Sequence, residues 1–75
     1  MKCRAALWFS MPGAVPYTQT YPSMKAVLED MERMVEDWLR FGGAEPVGVI
    51  YAYDSDTELY NLKVSRNGVI RRTPA

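Results

Sequence analysis

The chain has 75 residues, which is enough for one small domain with a modest core. Nine basic and nine acidic side chains give a formal net charge of zero, so the composition lacks the overall positive charge of a general nucleic-acid binder. One cysteine and no histidine exclude an internal disulfide and argue against a zinc site. Self-association is the remaining way to stabilise so small a domain, and we expect a homo-oligomer, most simply a dimer.

The first predicted element is a strand over residues 3–10. Side chains alternate between the two faces of a strand, so Cys3, Ala5 and Leu7 share one face and Trp8 lies on the other. The chain has no histidine to act as a base for a thiol. We therefore expect Cys3 to be a small buried residue and not a nucleophile.

The segment from Met1 to Pro12 is too short to span a membrane, and it lacks the long apolar stretch of a secretory signal. A lone cysteine is also typical of a reducing compartment. We expect a cytoplasmic protein that does not bind membranes.

A loop over residues 11–22 follows the first strand and contains three prolines and two tyrosines. Long loops in small domains are often functional. Tyr17 and Tyr21 could stack on a ligand or partner, or their rings could close one end of the core. The sequence leaves both interpretations open.

The clearest predicted element is a helix over residues 23–41, with Ser23 as its N-cap and Gly42-Gly43 as its C-terminal stop. Its apolar residues recur at the helical period and form one wide arc. They are Met24, Val27, Leu28, Met31, Met34, Val35, Trp38, Leu39 and Phe41. The acidic residues lie on the opposite side, where water has free access to them, so they do not form a predicted acid–base site.

Three further strands are predicted over residues 47–53, 58–65 and 69–72. The first two flank the turn at 54–57, whose acidic residues lack the glycine and closing glutamate of a calcium-binding loop. The last two flank Asn67-Gly68, the strongest short signal for a two-residue hairpin.

A turn centred on Ser55-Asp56 fixes the register of the first hairpin. It pairs Tyr53 with Glu58, Tyr51 with Tyr60, Val49 with Leu62, and Val47 with Val64. All but the first pair are apolar, so these residues form the predicted buried face, together with Val69 and Arg71. The predicted fold is one α+β domain over residues 1–75. Its element order is β-α-β-β-β, with one helix packed on a mainly antiparallel four-stranded sheet.

The other face of this sheet would carry Trp8, Ile50, Leu59 and Ile70. These side chains are more apolar than a fully solvated face requires. They indicate a self-association or partner interface, although scattered exposed apolar residues are also normal on monomers.

The C-terminal hairpin is basic, with Lys63, Arg66, Arg71 and Arg72 and no acid after Glu58. A two-stranded ribbon can enter a DNA groove, and arginines contact phosphates and guanine edges. Charged residues on an edge strand also prevent sheets from aggregating edge to edge. Nucleic-acid contacts and edge protection both remain possible roles for these four residues.

Part of the chain resembles the centre of HicB-type antitoxins. The resemblance lies in Met11-Pro12-Gly13-Ala14, in the capped helix start from Ser23 to Glu29, and in Trp38-Leu39, and it covers about 30 residues. It implies a strand that ends in a Pro-Gly loop and is followed by a helix. For function, it implies a toxin-neutralising role of the antitoxin kind.

The chain is also similar in style to small orphan accessory proteins of bacteriophages that infect actinobacteria. This similarity lies in its short free-standing α+β organisation and in the segment Arg66-Asn67-Gly68-Val69-Ile70-Arg71-Arg72 near the end. It implies an accessory protein that acts in the cytoplasm of a host cell by binding a host or viral macromolecule.

No catalytic, cofactor or metal site is predicted, because no phosphate-binding glycine loop, histidine or paired buried carboxylates can be recognised. The sequence therefore favours a small non-enzymatic interaction protein that self-associates. A nucleic-acid-binding regulator that uses the basic hairpin is the alternative.

Overall fold

A computed structural model describes residues 1–75 and shows an α+β domain with one helix and one antiparallel sheet. The elements are β1 Cys3–Phe9, β2 Thr18–Tyr21, α1 Met24–Phe41, β3 Pro46–Tyr51, β4 Glu58–Val64 and β5 Ile70–Pro74. The strands lie in the order β2-β1-β3-β4-β5. The predicted α+β class is confirmed, but the predicted four strands are wrong, because the sheet has five.

The additional strand β2 lies inside the predicted loop. It pairs with β1 in antiparallel register, from Cys3 opposite Tyr21 to Ala6 opposite Thr18. The connection turns at Gly13, whose φ of 83° is accessible to glycine at little cost. Thr18–Tyr21 consists of two threonines, a glutamine and a tyrosine, and this segment shows no alternation of apolar and polar residues. Its pairing therefore depends on the neighbouring strand.

Helix α1 begins and ends at the residues that the sequence indicates. The Ser23 side chain accepts a hydrogen bond from the Ala26 N–H at 3.2 Å, which caps the first turn. At the other end the Gly42 N–H donates to the Trp38 carbonyl oxygen at 2.8 Å, and Gly42 has a φ of 75°. The helix packs chiefly on β1, β2 and β3, and so leaves the β4–β5 edge less covered.

The core lies between α1 and one face of the sheet. Its buried members are Cys3, Ala5, Tyr21, Val27, Met31, Val35, Ile50, Leu62 and Val64. Leu7, Trp38, Tyr60 and Ile70 are among the partly buried side chains that pack against this cluster. The apolar arc of α1, one face of each of β1, β3 and β4, and Tyr21 at the end of β2 therefore form the core.

The register of β3 against β4 differs by one residue from the predicted one. Gly48 lies opposite Leu62 and Ile50 lies opposite Tyr60, so β3 turns Gly48 and Ile50 toward the helix. A bulge next to this point leaves Leu59 without a partner on β3, because the following pair is Tyr51 with Glu58. The predicted burial of Val47, Val49 and Tyr51 beneath the helix is wrong, since a shift of one residue exchanges the two faces of a strand.

The β4–β5 connection is also one residue longer than a two-residue Asn-Gly turn. The Gly68 N–H donates to the Ser65 carbonyl oxygen at 3.0 Å, and the Ser65 N–H donates to Val69 O at 2.9 Å. Asn67 does not have a positive φ, whereas a two-residue turn of the mirror-image type requires one there. Ser65 rather than Arg66 therefore faces Val69, and the side chains of β5 exchange faces relative to the prediction.

Candidate binding surface on the open face of the sheet

The face of the sheet opposite α1 carries no covering element, and we call it the open face. Strand alternation and the observed pairs place thirteen side chains there. They are Arg4, Ala6, Trp8, Thr18, Thr20, Val47, Val49, Tyr51, Asn61, Lys63, Arg71 and Thr73. Glu58, opposite Tyr51 beside the β4 bulge, is a thirteenth and the one acid of this face.

The middle of the open face is aliphatic and aromatic. Trp8 on β1 lies opposite Val47 on β3, and Ala6 lies opposite Val49. Trp8, Val47, Val49 and Tyr51 are all partly exposed. Because no helix covers them, these four side chains form the apolar centre of the open face.

Two cations lie beside this apolar centre. Lys63 on β4 and Arg71 on β5 are cross-strand neighbours, and both are exposed. Arg4 is less available, because its guanidinium contacts the Asp56 carboxylate and the Ser55 carbonyl oxygen, each at 3.2 Å. Lys63 and Arg71 are therefore the cations of the open face that make no salt bridge, whereas the Glu58 carboxylate lies at the other end of the apolar centre, opposite Tyr51.

The remaining two residues of the predicted basic set lie elsewhere. Arg72 is on the helix side of β5, with its guanidinium 4.8 Å from the centre of the Tyr60 ring and bonded to the sulfur of Met24. Arg66 is exposed in the β4–β5 loop. The four basic residues therefore do not form one patch, although they share one hairpin.

Only Trp8 of the four predicted interface residues lies on the open face. Ile50 has no exposed surface and belongs to the core, and Ile70 packs against the core on the helix side. The prediction that these two isoleucines face outward is wrong, because both strands have a shifted register. The members that sequence reasoning missed are Val47, Val49 and Tyr51, which it assigned to the buried face.

Leu59 remains 40% exposed at the bulge and lines an open cavity of about 830 Å³ at one end of the sheet. Met24 and Tyr53 also line this end cavity, and Lys2 lies at its rim with its ammonium 5.7 Å from the centre of the Tyr53 ring. The cavity is mainly apolar and lies between the start of α1 and the ends of the sheet strands.

The two loop tyrosines have different surroundings. Tyr21 is buried at the end of β2, and its hydroxyl donates a hydrogen bond to an Asp30 carboxylate oxygen at 2.7 Å. Tyr17 is 70% exposed, just before β2. Of the two interpretations of the loop, closure of the core fits Tyr21, and an available contact surface fits Tyr17.

Burial, together with the hydrogen bond to Asp30, raises the pKa of Tyr21 to about 12. Because this value lies above the ordinary one of 10.0, the neutral phenol stabilises the fold below pH 10, and this contribution is lost as the pH rises toward 12. We expect Tyr21→Phe to cost about 1 kcal/mol at neutral pH through the lost hydrogen bond. Urea unfolding between pH 10 and pH 12 measures this: the difference in free energy of unfolding between wild type and Tyr21→Phe should decrease as the pH rises. A difference that does not change with pH would contradict this assignment.

The chemistry of the remaining groups is limited. Burial raises the pKa of the Cys3 thiol, which disfavours the reactive thiolate. No group of three or more His, Cys, Asp or Glu side chains is arranged to hold a metal ion. The one helix is not long and apolar enough to cross a membrane.

These features define the open face without reference to any other protein. No protein-family model matches the chain, and neither the curated proteins nor the solved structures include a significant match to it.

Proposed function

We propose that this chain is a small non-enzymatic interaction protein that binds another macromolecule through the open face. The apolar centre of that face carries the proposal, because Trp8, Val47, Val49 and Tyr51 are partly exposed on a sheet whose other side packs against the helix. Apolar and aromatic side chains grouped on one rigid face are typical of binding surfaces. An accessory protein acting inside a bacterial host cell would suit this description.

The second part of the proposal is that the protein forms a homodimer. Strand β2 is the edge strand suited to pair with a second copy of the chain. Residues Thr18, Gln19 and Thr20 are exposed and uncharged, and Val15 and Tyr17 just before them are 84% and 70% exposed. The opposite edge strand β5 carries charged side chains and a proline, which oppose pairing with another strand. Two β2 edges related by a two-fold axis would extend the sheet and leave both open faces free.

Light scattering on a sizing column, over a range of protein concentrations, tests the proposed dimer. We expect a dimer that dissociates on dilution. Gln19→Lys should give a monomer, because Gln19 lies in the middle of the four-residue edge strand and a lysine there brings two like charges close together when two copies pair. A wild-type chain that stays monomeric at every concentration would overturn the dimer.

Thr73→Lys is the matched control, since it adds the same charge at the opposite edge of the sheet. It should leave the dimer intact. If Thr73→Lys dissociates the dimer and Gln19→Lys does not, the dimer interface lies at β5 and the assignment of β2 is wrong.

A further inference from the structure

We propose that the open face binds a single-stranded nucleic acid, with a base stacked on Trp8 and phosphates contacted by Lys63 and Arg71. This inference rests on the proposed function of the open face and adds the chemical class of its partner. Partly exposed aromatic side chains on an uncovered sheet, flanked by cations, are suited to single strands, because unpaired bases can stack while the backbone follows the charges.

The aromatic groups occupy neighbouring strands in the middle of the sheet. Trp8 lies on β1 and Tyr51 lies on β3, the strand paired with it. Val47 and Val49 separate the two rings along β3 with small aliphatic side chains. A strand of nucleic acid crossing this surface would therefore find two stacking positions on a rigid, hydrogen-bonded support.

The charges of the molecule are divided between its two sides. Helix α1 carries five acids and three bases, and it covers the side opposite the open face. The segment from Leu59 to Ala75 contains no acid, and Lys63, Arg66 and Arg71 make no salt bridge. A polyanion is therefore attracted to the border of the open face that carries Lys63 and Arg71, although the net charge of the chain is zero. The acid Glu58 lies opposite Tyr51, so phosphates are expected beside Lys63 and Arg71 and not beside Tyr51.

The same geometry argues against duplex DNA. A two-stranded ribbon can enter the major groove, but β4 is an inner strand paired with β3 as well as with β5. The β4–β5 hairpin is therefore the border of a five-stranded sheet and not a free ribbon. A flat single strand can lie across such a sheet, whereas a duplex would touch only its rim.

Fluorescence anisotropy of a labelled oligothymidylate of about 15 nucleotides tests the inference, with a duplex of equal length as the competitor. We expect the single strand to bind and the duplex to compete about tenfold less well, because the duplex offers no unpaired bases for stacking. The logarithm of the binding constant should fall with the logarithm of salt concentration with a slope of about −1.4, since two contacted phosphates contribute about −0.7 each.

Arg71 and Arg72 provide a matched pair of variants, because they are adjacent in sequence but lie on opposite faces. Arg71→Ala should weaken binding and reduce the salt slope by about 0.7. Arg72→Ala should leave the affinity and the salt slope nearly unchanged. Trp8→Ala should lower the affinity about tenfold through lost stacking, whereas Trp8→Phe should keep most of it.

Circular dichroism of each variant establishes that the fold is retained. Absence of oligothymidylate binding at low salt would overturn this inference, while the proposed dimer, which is judged by solution mass, would be unaffected. Binding that Arg72→Ala weakens as much as Arg71→Ala, with no effect of Trp8→Ala, would show that the contact is not on the open face. That result would overturn the inference and leave the open face without an identified partner. Equal affinity for the duplex would mean phosphate attraction without stacking and would also overturn the inference.

Discussion

Ile50→Ala will destabilise the protein by about 2–5 kcal/mol, the usual cost of removing a large aliphatic side chain from a well-packed core. Ile50 has no exposed surface and lies in the cluster with Met31 and Leu62. A domain of this length is stabilised by only about 4–11 kcal/mol in total, so the variant loses a large fraction of its stability. Urea unfolding monitored by circular dichroism measures the change.

Val49→Ala is the matched control on the adjacent residue. Val49 lies on the open face and is partly exposed, so its truncation should cost about 1 kcal/mol or less. The register derived from the sequence alone, with Val49 inside and Ile50 outside, requires the opposite order of the two effects. A larger loss for Val49→Ala than for Ile50→Ala would therefore contradict the β3 register described above.

The second large effect is expected at Gly48, which has no room for a side chain. A Cβ atom there would lie 2.5 Å from Leu7 Cδ2, 3.2 Å from the Ala6 carbonyl oxygen and 3.3 Å from Leu62 Cδ1. Overpacking of this kind costs about 1–3 kcal/mol, because neighbouring side chains must leave their preferred rotamers. We expect Gly48→Ala to be destabilised within this range in urea unfolding.

A double-mutant cycle with Leu7→Ala separates the clash from other causes. Leu7 lies opposite Gly48 on β1, and its truncation removes the closest atom. Gly48→Ala should therefore cost about 1 kcal/mol less in the Leu7→Ala background than in the wild type. The rescue will be partial, because the Ala6 carbonyl oxygen belongs to the backbone and stays in place. Strict additivity would mean that steric overlap with Leu7 is not the reason for the glycine.

The helix and the fold class could be read from the sequence because their signals are local. Ser23, the apolar arc and Gly42 specify α1 within one continuous segment, and the structure uses both caps. Strand alternation likewise places Tyr60, Leu62 and Val64 on the face of β4 that packs against the helix, and the structure has them there. These assignments depend only on helical period, strand alternation and capping chemistry.

The faces of β3 and β5 could not be read from the sequence, because each depends on one residue in a turn or bulge. The bulge at Leu59 and the three-residue β4–β5 connection each shift a strand by one position. Val49 and Ile50 are both aliphatic and β-branched, so residue type does not indicate which of them is buried. As a result, the predicted interface included Ile50 and Ile70 and omitted Val47, Val49 and Tyr51.

Strand β2 was missed for a different reason. Its segment Thr18–Tyr21 contains no apolar alternation, and it becomes a strand because β1 offers a free edge there. Tyr21 was assigned to the loop, although its position opposite Cys3 at the end of β2 makes it part of the core. Pairing between strands, which single-sequence patterns do not encode, decides its structure.

The strand order has a consequence for how the chain folds as it is synthesised. β1 leaves the ribosome first, but it lies between β2 and β3, and Ala5 pairs with Ile50. The β1–β2 hairpin and α1 can therefore form early, yet the apolar arc of the helix has only part of its final surface to pack on until β3 emerges. Contacts between segments far apart in sequence form slowly because the intervening chain must be closed into a loop. The pairing of β1 with β3 is thus the step at which the nascent chain becomes a closed domain.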